Sequence, residues 1–138
     1  MDFLNQLADR FGLDIIYAFG SNAKKVADML DKDAPGLNIS KSSDVDIGVR
    51  PAFGKELTVR EKVNLSMELE DLFSVNRVDL VVIPEADPFL AANIIRGERI
   101  YARDGYQADE YDLYILRRAG DLIPLERERI SLIMKEKD

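Results

Sequence analysis

Three short apolar runs, Leu13–Phe19, Val45–Val49 and Val78–Ile83, have the length and composition of β-strands, and each carries an aspartate within it. An ionised carboxylate in such a segment costs burial energy unless a cation or hydrogen bonds offset it. The runs therefore constrain both the fold and the function.

The stretches between them have helical spacing. Phe3, Leu4, Leu7 and Phe11 recur on one face and Gly12 ends the segment. Asn22 to Leu30 carries Ala23, Val26, Ala27 and Leu30, with Ser21 as a candidate cap. Asp31–Ser43 reads as a loop around the turn signal Pro35-Gly36, and Arg50-Pro51 closes the second strand. Leu57 to Phe73 predicts a long amphipathic crossover helix, with Val59, Val63, Met67, Glu70 and Phe73 along one side and Leu65, Leu69 and Leu72 close by. Arg77 to Ile83 is the third strand. Pro88 opens a helix running to about Arg96, and Gly97–Ala102 fits a short edge strand. The remainder, Ala108 to Lys137, is helical in pattern with a break or kink near Pro124.

The expected fold class is α/β, in its α+β form: a mixed sheet of three to four strands flanked by helices. A chain of 138 residues fits a single domain, with a core over about 1–104 and C-terminal helices over about 107–137. No apolar run approaches the roughly 20 residues of a membrane span, and the N-terminus lacks the basic-then-apolar order of a signal peptide. No membrane role is expected. The absence of cysteine excludes disulfides and thiolate metal sites and suits the cytoplasm. The absence of histidine removes imidazole bases, Ser-His-Asp triads and His-ligated zinc. A net charge of −7 argues against a nucleic-acid-binding module, which relies on clustered Lys and Arg.

Residues two apart in a strand share a face and lie about 7 Å apart along it, so Asp44 and Asp46 project together. With Asp79 on a neighbouring strand they make an oxygen-rich set suited to Mg²⁺, and a pair of such ions about 3.5–4 Å apart serves in-line phosphoryl displacement. Gly20-Ser21 stands where a strand turns into a helix. There the backbone N–H groups, a close approach over glycine and the Ser21 hydroxyl suit the phosphates of a nucleotide.

Phe19-Gly20-Ser21, then Ser43-Asp44-Val45-Asp46-Ile47, then Val78-Asp79-Leu80-Val81-Val82 resembles the nucleotidyltransferase domain of the DNA polymerase β superfamily, most closely its minimal nucleotidyltransferases. The resemblance covers most of the chain to Asp104, and it implies the polymerase β-like fold. It also implies that Gly20 and Ser21 bind the triphosphate of ATP, that Asp44 and Asp46 hold two Mg²⁺ ions, and that Asp79 holds the catalytic ion and helps activate the attacking hydroxyl. Many small members are antitoxins paired with a HEPN-type toxin. The implied function is transfer of AMP from ATP to a tyrosine of such a partner, as in type VII toxin–antitoxin systems. Twenty-two residues separate Ser21 from Asp44, more than the family pattern usually has, and the extra length falls in the Pro35-Gly36 loop.

Blander readings accompany the other candidates. Lys24 and Lys25 read as solvated helix lysines, Lys41-Ser42-Ser43 as turn chemistry, and Tyr101, Tyr106, Tyr111 and Tyr114 as packing on the helical tail. Arg117-Arg118 reads as part of a charged helix face. Two other functions stay open: a non-catalytic toxin-binding module, and a transferase acting on a small molecule of the aminoglycoside type. The oligomeric state, homo- or hetero-oligomer, also stays open.

Overall fold

The structure, a computed structural model, describes residues 2–31 and 44–136, with side chains over 3–31 and 44–120. Helix α1 (Asp2–Phe11) leads into strand β1 (Leu13–Phe19), helix α2 (Ala23–Asp31), strand β2 (Asp44–Pro51), helix α3 (Val59–Phe73) and strand β3 (Arg77–Val82). A 3-10 turn (Ile83–Glu85), helix α4 (Pro88–Ile95), strand β4 (Glu98–Ala102) and helix α5 (Gly105–Glu136) complete the order. The strands form one mixed sheet in the order β3-β2-β1-β4. β1 is antiparallel to β2 and β4, whereas β2 and β3 are parallel. The parallel pair requires a crossover, and α3 supplies it.

Alternation along the strands sorts side chains onto two faces. One face sends Ile16, Ala18, Val45, Ile47, Val49, Val78 and Val82 into a core with Leu4, Leu7, Val26, Leu65, Leu69 and Phe73 from α1, α2 and α3. The other sends Ile15, Tyr17 and Phe19 against Ala91, Ile94, Ala108, Ile115 and Ala119 of α4 and α5. A register shift between Leu13 and Ile15 lets Leu13 join the first core while Ile15 joins the second. α4 lies close on its face because β2 carries Gly48 there. A Cβ at Gly48 would stand 2.5 Å from Ile94 Cγ2.

Helix α3 is started by a capping box, with the Thr58 side chain accepting from the Glu61 N–H and the Glu61 side chain accepting from the Thr58 N–H. Its buried stripe is Leu65, Leu69 and Phe73, whereas Val59, Val63 and Met67 of the expected apolar side face solvent. Leu65, Leu69 and Phe73 repeat every fourth residue, as does the row Val59, Val63 and Met67, so spacing alone selects neither row. Contact with the sheet selects it. Phe3 is likewise exposed, while Leu4, Leu7, Ala8 and Phe11 hold α1 to the core.

Three further boundaries differ from the sequence reading. β2 continues through Arg50 to Pro51, which pairs with Leu13 at the strand's end, where a missing N–H breaks no inner rung. The last helix begins at Gly105, with the Asp104 carboxylate accepting from the Gln107 N–H at 3.1 Å. It also runs through Pro124 without interruption, so one long helix replaces the broken pair. Proline removes a single rung of the ladder, and the helix continues on both sides of it. The loop expected over Asp31–Ser43, with Lys41, Ser42 and Ser43, lies outside the described residues from position 32 onward.

Candidate active site

The strand aspartates do not all meet at one end of the sheet. Because β1 runs antiparallel to β2, Asp14 at its start stands beside the end of β2, where Arg103 Nε lies 3.2 Å and Arg50 3.8 Å from its carboxylate. Asp14 is an ion-pair partner, not a member of the acidic cluster. At the other end the parallel register sets Asp44 opposite Arg77 and Asp46 opposite Asp79, while the antiparallel register sets Phe19 opposite Asp46. Asp44, Asp46 and Asp79 thus share the α4/α5 face of the sheet at an end those helices leave open. Asp44 is exposed, and Asp46 and Asp79 are half-buried.

Gly20 follows directly after Phe19 and has φ +77°, a conformation glycine adopts without steric cost. Any Cβ at this position would collide with the Asp46 carboxylate. The bare backbone of the turn therefore lies against Asp46. Ser21 is exposed in the turn, and α2 begins at Ala23, after Asn22. The Asn22 side-chain amide donates to the Asp44 carbonyl at 2.7 Å, which ties the start of α2 to the start of β2. The positive end of the α2 dipole thus stands beside the acids. Lys24 and Lys25 are exposed on the helix.

Burial raises the Asp46 pKa, and the neighbouring negative charge of Asp79, a hydrogen bond with Asp79 and the charge of Asp44 raise it further. Arg77 opposes this in part. Its Nε donates to Asp79 Oδ1 at 2.9 Å, and that bond in turn raises the Arg77 pKa. No three carboxylates among the described residues form a ready-made metal cluster, and Asp79 is held by Arg77. The donor set nonetheless fits a divalent cation: hard oxygens on two adjacent strands, with surplus negative charge that raises the cost of ionising Asp46.

The sequence singled out Gly20, Ser21, Asp44, Asp46 and Asp79 as candidates, and the fold brings all five to one end of the sheet. Arg77 and Asn22 were missed. Arg77 was recoverable, because it stands two residues before Asp79 and so on the same face. Asn22 carried no local signal, since its partner is distant in the chain. Outside the cluster, the Tyr17 hydroxyl donates to Asp112, and Arg99 bridges Asp109 and Asp112, pinning α5 to β1 and β4. Burial and the Asp112 hydrogen bond push Tyr17 far up, while burial raises Asp112.

No helix among the described residues is long and apolar enough to cross a membrane. By fold, the chain is similar to a chain of the crystal structure of a toxin–antitoxin with AMP-PNP, at TM-score 0.70 and 18% identity, covering 96% of this chain and 97% of that one. It is also similar to a chain of the toxin–antitoxin MntA–HepT, at TM-score 0.66 and 18% identity, covering 96% and 95%. A third similar structure is the tri-AMPylated Shewanella oneidensis HEPN toxin in complex with its MNT antitoxin, at TM-score 0.67 and 18% identity, covering 96% and 94%. No curated protein matches the chain by sequence. The family described as polymerase beta, nucleotidyltransferase, matches residues 4–106. With the Gly20 turn, the Asp44/Asp46 pair and Asp79 gathered at one sheet end, the chain belongs to the polymerase beta nucleotidyltransferase family.

Proposed function

We propose that the chain transfers AMP from ATP to a hydroxyl of a protein partner, a tyrosine of a HEPN-type toxin, and acts as that toxin's antitoxin. The observation that carries this reading is the apposition of Gly20 to Asp46, which sets a phosphate cradle directly against the acidic cluster. The similar structures add support, one holding AMP-PNP and another an AMPylated HEPN toxin with its MNT antitoxin.

In this reading the Gly20-Ser21 turn and the start of α2 bind and orient the triphosphate through backbone N–H groups and the Ser21 hydroxyl. Asp44, Asp46 and Asp79 would hold Mg²⁺, which when bound neutralises phosphate charge and stabilises the attacking and leaving oxygens. Asp79 accepts the proton of the attacking hydroxyl. An oxygen–phosphorus bond forms at the α-phosphate, the bond to the bridging oxygen breaks, and pyrophosphate leaves. Arg77 must release Asp79 for that role, and its side chain is exposed and able to swing. Asn22 keeps the cradle and the Asp44 strand in register.

The test is to incubate the purified chain with ATP, Mg²⁺ and the HEPN-type protein encoded beside it, and to read the partner's intact mass. An AMP adduct on a tyrosine is expected. An unmodified partner that the chain still neutralises would replace transfer with occlusion, and adducts found only on small hydroxyl compounds would replace the protein acceptor.

A further inference from the structure

The face that carries the acids also carries Arg50, two pleats further along β2 from Asp46 and about 13 Å away at the rise of an extended strand. Arg50 opens into a cleft of about 580 Å³, within the size range of ligand-binding pockets. Its walls include Arg50, Phe53, Lys55 and one carboxylate, Glu56, from β2 and the following loop, and Tyr111, Tyr114 and Arg118 from α5. None of these residues belongs to the nucleotide site.

Two features make the cleft more than a gap between elements. The Arg50 guanidinium is stacked on the Tyr111 ring, 4.3 Å from its centroid, and the side chain is 22% exposed. Its acidic neighbour Asp14 is 3.8 Å away, beyond hydrogen-bond range, and is engaged more closely by Arg103 at 3.2 Å. Among the described residues Arg50 therefore makes no side-chain hydrogen bond, although its planar donors are positioned by the stack. Further along α5 Arg118 lies over Tyr114, 5.7 Å from its centroid, and has no carboxylate partner among the described residues. Lys55 differs, since Glu61 holds it at 3.2 Å. Two guanidinium groups with unused donors thus face a space rimmed by Phe53, which is 97% exposed, and by the half-exposed Tyr114.

We propose that this cleft docks an acidic peptide segment of a partner protein, with carboxylates on Arg50 and Arg118 and an apolar side chain against Phe53 and Tyr114. Charge complementarity selects this occupant. The chain has a net charge of −7, so its field repels acidic segments in general, and Arg50, held by Asp14 only at 3.8 Å, and Arg118 provide a local exception. Arginine and aromatic side chains are the residue types that dominate protein–protein hot spots. Guanidiniums on two separate elements, with exposed rings in the same lining, match a chain bearing several carboxylates better than one small ion.

The experiment is fluorescence anisotropy of a fluorescein-labelled Glu-Glu-Phe-Glu-Glu peptide with the full chain in EDTA. Saturable binding is expected, with no binding of the matched Gln-Gln-Phe-Gln-Gln peptide. Arg50→Gln should weaken binding at least tenfold. Arg118→Gln alters an exposed residue that leaves folding intact and should weaken it severalfold. Absence of saturable binding at millimolar peptide, or equal binding by both variants, overturns the proposal. Displacement of the peptide by an equal concentration of inorganic phosphate also overturns it, because the cleft would then be a small-anion site.

Discussion

The two faces of the sheet are built from the same strands and do different work. On the α1/α2/α3 face, Val45, Ile47, Val49, Val78 and Val82 meet Leu65, Leu69 and Phe73, and all of them are buried apolar groups. On the α4/α5 face the alternate positions of the same strands carry Asp44, Asp46, Gly48 and Arg50 on β2 and Arg77 and Asp79 on β3. Both faces hold buried apolar cores, but only the α4/α5 face also carries the acidic cluster, at the end where α4 and α5 stop covering it. Confining charge to one face lets an acidic cluster sit on a strand without disrupting the core a single residue away.

The sharpest break of this comparison is Asp46→Asn. Loss of one charge from the cluster should reduce transfer on the order of 10³-fold, while thermal unfolding midpoints hold steady or rise, because ionised Asp46 is disfavoured by burial and by Asp79. Rate measurements beside calorimetry test both halves. A large fall in stability would show that the acids also support the fold. Leu69→Ala should do the reverse and destabilise by about 3 kcal/mol, with kcat of the remaining folded enzyme unchanged, as urea unfolding and active-fraction titration would show.

Gly20→Ala joins the two effects at one residue. A non-glycine residue at this positive φ costs about 1–2 kcal/mol, and the new methyl meets the Asp46 carboxylate, so activity should fall further than stability alone explains. The smallest effect concerns pH and the chemical face. Tyr17 has a pKa well above the ordinary tyrosine value because of burial and its bond to Asp112. The folded chain therefore keeps a proton that the unfolded chain loses above about pH 10. Its stabilising contribution is complete below that pH and is lost as pH rises further. Tyr17→Phe should lower stability at neutral pH and flatten its alkaline decline, read by denaturation from pH 8 to pH 11. An unchanged decline would remove Tyr17 as its source.

Much of this division was legible in the sequence. Period-two alternation placed Asp44 and Asp46 together and Asp79 on a strand of its own, and the Leu57–Phe73 pattern supplied the crossover that makes β2 and β3 parallel. The α3 face was read on the wrong row because Val59, Val63 and Met67 are as regularly spaced as Leu65, Leu69 and Phe73, and only packing distinguishes them. Pro124 was read as a break or kink because local propensity disfavours it, and of these the break is absent, since one helix continues through it. Asp14 looked like its counterparts in the other strands, but strand direction sends it to the opposite end of the sheet.

By itself the sequence determined the strand and helix order, the period that puts carboxylates on one face, and the glycine turn after the first strand, because these depend on residues close together in the chain. The tertiary structure decided the rest: that Gly20 abuts Asp46, that Arg77 holds Asp79, that Asn22 ties α2 to β2, and that Arg50 and Arg118 face one cleft. The physical reason is that register and strand direction bring together groups far apart in sequence, and no local pattern encodes which end of a neighbouring strand each will meet.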